Sequence, residues 1–291
     1  MEIYSNLRQG EKGAWISIGA YIILSAVKLT IGILGSSKAL MADGLNNTTD
    51  IIASIAVLIG LRISQRPPDK NHRYGHLRAE TVASLIASFI MAVVGLQVLA
   101  DAVQSFWSTE KEAPSGLTAI VAIVSAIVMF LVYLYNIRLS KRINSTALKA
   151  AAYDNRSDAL VSVGTSIGIL GAIFGFPIID TITAFIIGII IIKTAVEIFK
   201  ESVLMLTDGF DEELLDTISE TVDNVEGVKS VKDIKCRAHG SMIFVDLTVT
   251  MDATLTVTES HRITEKIEDE IQKINPYSLL QVHTEPDMPI E

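Results

Sequence analysis

Asp43 and Asn47 stand four residues apart, and so do Asp154 and Asp158. On a helix that spacing puts both side chains of a pair on one face, one turn apart. Each pair sits inside a long apolar stretch. A carboxylate at bilayer depth costs about 3 kcal/mol or more, and so marks a functional site. Two such steps on two facing helices would close a cage of four oxygen donors. Without a cation its three carboxylates would repel one another. Hard oxygen donors suit Mg²⁺, Mn²⁺ or Ca²⁺, whereas Zn²⁺ favours histidine or cysteine. The five histidines, at 72, 76, 239, 261 and 283, all fall outside the apolar stretches. The chemistry expected is the holding of a divalent metal ion, and its passage across a bilayer.

Two further groups have metal-ligand character. Asp69, His72 and His76 lie in the basic stretch Asp69-Lys70-Asn71-His72-Arg73-Tyr74-Gly75-His76. They read either as ligands of one ion or as a solvated loop. Near the C-terminus, Asp246, His261, His283 and Glu285 could together bind one or two regulatory ions, although each alone reads as a surface group. His239 reads as a hairpin residue. Lys28 reads as a structural partner of a nearby carboxylate. Asp50 lies on the face of Asp43 and reads either as a proton-path residue or as the partner of a neighbouring Thr or Asn.

The elements that must carry these groups are apolar segments of the length a bilayer needs. Six run roughly over 14–34, 39–63, 81–106, 117–139, 146–174 and 178–199, punctuated by Gly35, Pro67-Pro68, Pro114-Gly116 and Gly175-Pro177. After Leu206 the texture changes. Residues 212–225 have helical spacing, 229–237 and 243–251 read as strands, 258–274 as an amphipathic helix capped by Thr256 or Thr258, and 279–283 as a short last strand. The expected fold is an α-helical membrane protein with six transmembrane helices over 1–207, plus a small cytosolic α+β domain of order α-β-β-α-β over 208–291.

Composition and charge agree. The chain is 49% hydrophobic with mean hydropathy +0.43. Residues 1–207 carry 17 Lys+Arg against 14 Asp+Glu, and residues 208–291 carry 7 against 19. So acidic a tail repels phosphates, which argues against a nucleic-acid partner and suits cations. Eleven basic residues flank one side of the segments and two, Lys38 and Lys111, the other. That places both termini in the cytoplasm of a multi-pass cell-membrane protein. The N-terminus carries no signal-peptide pattern. The lone cysteine, Cys236, reads as an inert small residue. No nucleophile–base pair and no phosphate loop is present, so the chain is not expected to be an enzyme, and no cofactor is required. The rival reading is a membrane-anchored metal sensor, but a passive anchor has no use for three buried carboxylates.

The steps ADGLNN and DNRSD, the loop DKNHRYGHLRAE, the six segments and the α-β-β-α-β tail together resemble the cation diffusion facilitator family over nearly the whole chain. The resemblance implies a homodimer that exports divalent metal from the cytoplasm in exchange for protons, with a metallochaperone-like tail that dimerises and senses metal. By position it implies a transport site of Asp43, Asn47, Asp154 and Asp158, a loop site of Asp69, His72 and His76, and a tail site of Asp246, His261, His283 and Glu285. It also implies a charge pair between Arg78 and Asp208 at the membrane edge. An asparagine with three aspartates resembles the manganese branch and departs from the zinc branch, which carries a histidine in the quartet. Zn²⁺, Fe²⁺ and Co²⁺ remain the alternative cargoes.

Overall fold

The computed structural model describes residues 2–34, 38–105, 116–174, 176 and 178–287. The turn residues Gly35, Pro114, Gly175 and Pro177 and the basic residue Lys111 lie outside these. The chain forms two compact units, Met1–Ser202 and Val203–Glu291.

The first unit holds the long helices α1 (Glu2–Leu34), α2 (Lys38–Ser64), α3 (Arg78–Ser105), α4 (Gly116–Ile143), α5 (Thr146–Ile173) and most of α6 (Ile178–Leu206). Five of the six are long and apolar enough to cross a membrane; α5, with Lys149, Asp154, Arg156 and Asp158 in its first half, is not among them. The helices outrun the apolar segments read from sequence. α1 begins well before Ala14, and α4 and α6 continue past Leu139 and Phe199. Backbone hydrogen bonding propagates a helix into polar flanks, so hydropathy marks the bilayer and not the helix end. The sharp turn into α5 comes at Asn144, whose φ of 51° lies in the left-handed region that asparagine tolerates.

α1 packs on α2 and α4, α2 on α3 and α5, and α4 and α3 on α5. Large apolar side chains such as Ile22, Ile23, Ile127 and Leu131 stay exposed, as lipid-facing surface requires. The interior mixes large apolar side chains such as Leu61 and Met129 with many small and polar residues, among them Ala147, Ala150, Ala151, Ser17, Ser54 and Ser162. Such residues let helix backbones approach closely. At Gly44 a Cβ would come within 3.0 Å of Lys28 Cβ and 3.1 Å of the Leu29 backbone nitrogen, so a larger residue there would have to push α1 and α2 apart by a few tenths of an ångström.

The second unit contains α7 (Glu212–Asp223), β1 (Ser230–His239), β2 (Met242–Asp252), α8 (Val257–Ile274) and β3 (Ser278–Asp287). The sheet order is β1-β2-β3, with β1 antiparallel and β2 parallel to β3. Gly240, at φ 58°, makes the tight β1–β2 turn. Asp211 caps α7 through the Leu214 N–H at 3.2 Å, and Thr256 with Glu259 forms a capping box on α8. Alternate residues Val245, Leu247, Val249 and Met251 of β2 pack under Ile218 and Val222 of α7 and Ile267 and Ile271 of α8. The other sheet face carries Asp246, Thr248 and Thr250. The last strand is longer than its apolar core implies. Ten residues pair with β2 from Ser278 to Asp287, so polar His283 and Glu285 belong to the ladder.

Candidate metal centre

α2 and α5 meet inside the helical unit and bring their polar steps together. Asp43, Asn47, Asp154 and Asp158 are all buried. Asn47 Nδ2 donates to Asp158 Oδ1 at 2.7 Å and to Asp50 Oδ2 at 3.3 Å, so one amide spans carboxylates on two helices. Asp43 Oδ2 takes the Lys28 ammonium at 2.9 Å and the Ser162 hydroxyl at 3.4 Å. Asp154 Oδ2 accepts from the Tyr21 hydroxyl at 3.1 Å. Buried polar atoms nearly always find a partner. Yet Asp43 Oδ1, Asn47 Oδ1 and Asp158 Oδ2 are buried acceptors without one. Of these three, Asp158 belongs to the residues that line the cavity described next, where a cation would satisfy its orphaned oxygen.

A small cavity opens between α2, α3, α5 and α6. Its polar lining is Asn46, Asp50, Asp154, Ser157 and Asp158, and its apolar lining is Met91, Val94, Val161 and Ile191. Asp154 and Asp158 therefore face a common space, but the α2 residues that share it are Asn46 and Asp50, one turn along from Asp43 and Asn47. Sequence reasoning passed over this pair as a ligand step. The signal was present, because Asn46 and Asp50 are themselves separated by four residues.

The loop between α2 and α3 holds the only group among the described residues in which three acidic or histidine ligand atoms lie within 4.8 Å of one another: Asp69, His72 and His76. It is built on Asp69. Asp69 Oδ1 accepts the backbone N–H groups of His72 at 2.7 Å and Asn71 at 2.9 Å. The His72 N–H bond, above all, holds the Asp69 carboxyl below its ordinary range. His72 Nδ1 lies 3.3 Å from Asp69 Oδ1 and His76 Nε2 3.5 Å from Asp69 Oδ2. The imidazole rings sit 4.2 Å apart between centroids. Gly75, at φ 78°, turns the loop so that His76 reaches back to Asp69.

The tail residues are less gathered. Asp246, His283 and Glu285 occupy the open face of the sheet, with His283 opposite Thr248 and Glu285 opposite Thr250. Each has a protein partner. Asp246 takes Arg237 Nη1 at 2.9 Å, and Glu285 takes Lys232 Nζ at 2.5 Å. The lysine bond holds the Glu285 carboxyl below its ordinary range. His283 lies 3.9 Å from Glu285. His261 is on α8, which covers the opposite face of the sheet, and pairs with Glu265 at 3.8 Å. His239 packs against Phe244 with the rings tilted and their centroids 4.7 Å apart, beside the hairpin turn.

Residues 14–207 match the cation efflux transmembrane domain, and residues 210–287 match the cytoplasmic domain of cation efflux proteins. The manganese efflux system protein MneS of Bacillus subtilis (strain 168) is 55% identical over 286 residues, covering 98% of this chain and 99% of that protein. The manganese efflux system protein MneP of the same organism is 32% identical over 91% of this chain and 96% of that protein. A solved C-terminal domain of a MamM variant is 28% identical over 26% of this chain and 95% of that one, with a TM-score of 0.25. With both family domains present in order over almost its whole length, the chain belongs to the cation efflux family of membrane metal transporters.

Proposed function

We propose that this protein exports Mn²⁺ from the cytoplasm in exchange for protons, as a homodimer in the cell membrane with both termini cytoplasmic. One observation carries the reading: the polar lining of the cavity is three carboxylates, a carboxamide and the Ser157 hydroxyl, with no histidine or cysteine among its lining residues. An all-oxygen donor set favours Mn²⁺ over Zn²⁺. The names of MneS and MneP support the same cargo.

In this reading Asp154 and Asp158 of α5 hold the ion, and α2 contributes Asn46 and Asp50 across the cavity. Asn47 ties Asp50 to Asp158, and Asp43 stands beside the site as the ion-pair partner of Lys28. Water fills the remaining positions of an octahedral ion. A ligand carboxylate must be deprotonated, so arriving metal displaces protons and arriving protons displace metal. Rocking of α2 against α5 opens the cavity to one side and then the other. The empty site returns across the bilayer as neutral carboxyls, at lower cost than as charges. Asp69, His72 and His76 form a cytoplasmic side site. The C-terminal domain supplies dimer contacts, and its candidate ligands for one or two regulatory ions are Asp246, His283 and Glu285 on the open sheet face and His261 on the α8 side.

Proteoliposomes loaded with a pH-sensitive dye test this. Mn²⁺ should drive proton movement in the wild type. Asp50→Asn, Asp154→Asn and Asp158→Asn should each abolish it while the dimer stays folded. Flux retained by all three would remove the cavity from the mechanism.

A further inference from the structure

Behind Asp154 lies a hydrogen-bonded chain of four side chains, Tyr21, Asn155, Ser17 and Asn136, each with no exposed surface. The Tyr21 hydroxyl donates to Asp154 Oδ2 at 3.1 Å and accepts from Asn155 Nδ2 at 3.0 Å. Asn155 Oδ1 in turn accepts from Ser17 Oγ at 3.0 Å and from Asn136 Nδ2 at 2.9 Å. Asn136 Nδ2 also reaches Ser17 Oγ at 2.8 Å. The chain ties α1, α4 and α5 together and ends on one oxygen of a single carboxylate.

The bond polarity has a consequence. With Asn155 donating into the hydroxyl oxygen, the one Tyr21 proton is left for Asp154, which is an acceptor-only group when ionised. Asn155 cannot turn freely, because two donors hold its carbonyl end. The network is satisfied except at Asn136 Oδ1, a buried acceptor without a partner at its far end, and breaking any link nearer Asp154 would leave a further buried group unsatisfied, which holds the Tyr21 end in place. We propose that Tyr21 is a positioning residue of the transport site. It occupies one Asp154 oxygen and fixes the carboxylate plane, so that the other oxygen is presented to the cation. Groups that orient a metal ligand in this way matter to affinity by about 10–100-fold. The proposal rests on Asp154 being a transport ligand.

Tyr21→Phe keeps the ring and removes only the hydroxyl. In Mn²⁺ uptake by proteoliposomes, the half-saturating concentration should rise about 10–100-fold, with the maximal rate held within about threefold. Mn²⁺ titration of the detergent-solubilised dimer should show the same loss of affinity. Ser17→Ala removes one support of Asn155 and should shift affinity the same way by a smaller factor, about threefold to tenfold. A merely structural Tyr21 would lower the maximal rate and the melting temperature and leave the half-saturating concentration unchanged. That outcome for Tyr21→Phe overturns the proposal, and so does an unchanged affinity in Ser17→Ala should Tyr21→Phe fail to assemble. Asp154→Asn separates the two levels. If it transports normally, the reading of the site fails; if it is inactive while Tyr21→Phe matches wild type, the positioning role alone fails.

Discussion

Lys28 and Asp43 form an ion pair inside the helical unit: Nζ lies 2.9 Å from Oδ2, and the two side chains are 0% and 2% exposed. The lysine also donates to Ser162 on α5 at 3.1 Å, so one ammonium joins α1, α2 and α5. A buried pair of this kind is weak evidence for net stability, because desolvation offsets attraction. Removing one partner is a different matter, since it strands a charge. Lys28→Met should lower stability by about 3–5 kcal/mol, seen as a fall in melting temperature in detergent. The double variant Lys28→Met with Asp43→Leu should recover most of that loss. A double variant no better than the single would mean that Asp43 does not depend on Lys28.

Cys236, the protein's one cysteine, offers a check on the C-terminal domain. It is buried within β1, and burial pushes its thiol up to about 11 from 9.0. Since the thiolate is the reactive form, only about one molecule in ten thousand carries it at neutral pH. Iodoacetamide should therefore label the folded protein slowly near pH 7 and faster as pH climbs towards 11. Urea unfolding should restore the rate of a free thiol. The linkage has a definite sign. The folded state keeps its proton longer than the unfolded state, so this contribution to stability is complete below pH 9 and is lost between about 9 and 11. Fast labelling of the folded protein at neutral pH would show that β1 is not packed as described.

The helices and the sheet were legible in the sequence because periodicity and turn residues carry them. Alternation in residues 243–251 marks β2, and the threonines at 256 and 258 mark the start of α8, where the structure selects Thr256 and adds Glu259. Helix ends were not legible, since hydropathy reports the bilayer while hydrogen bonding continues the helix. Asp154 and Asp158 were read from spacing, and they do face a cavity. The α2 partners were harder. Residues 43–50 contain two interleaved four-residue steps, Asp43/Asn47 and Asn46/Asp50, that overlap on one side of the helix. Spacing alone gives both equal standing. Only the packing of α2 against α5 separates them, by turning Asn46 and Asp50 to the cavity and Asp43 to Lys28. The links from Tyr21 to Asp154 and Asn155 left no signal, because each joins residues more than a hundred positions apart.

These two steps make opposite predictions for metal choice. Histidine adds a nitrogen donor that Zn²⁺ favours over the harder Mn²⁺. Asn46→His places that nitrogen among the cavity residues, so it should raise Zn²⁺ transport relative to Mn²⁺ while turnover persists. Asn47→His acts elsewhere. It removes the amide that donates to Asp158 at 2.7 Å and to Asp50 at 3.3 Å, so both carboxylates lose a shared tether. Losing such an orienting group should weaken Mn²⁺ transport by about 10–100-fold and leave the Zn²⁺ to Mn²⁺ ratio near its wild-type value. Competition uptake of the two metals into proteoliposomes reads both quantities at once. A change of ratio in Asn47→His with none in Asn46→His would return the metal to the Asp43/Asn47 step and place Asn46 outside the coordination sphere.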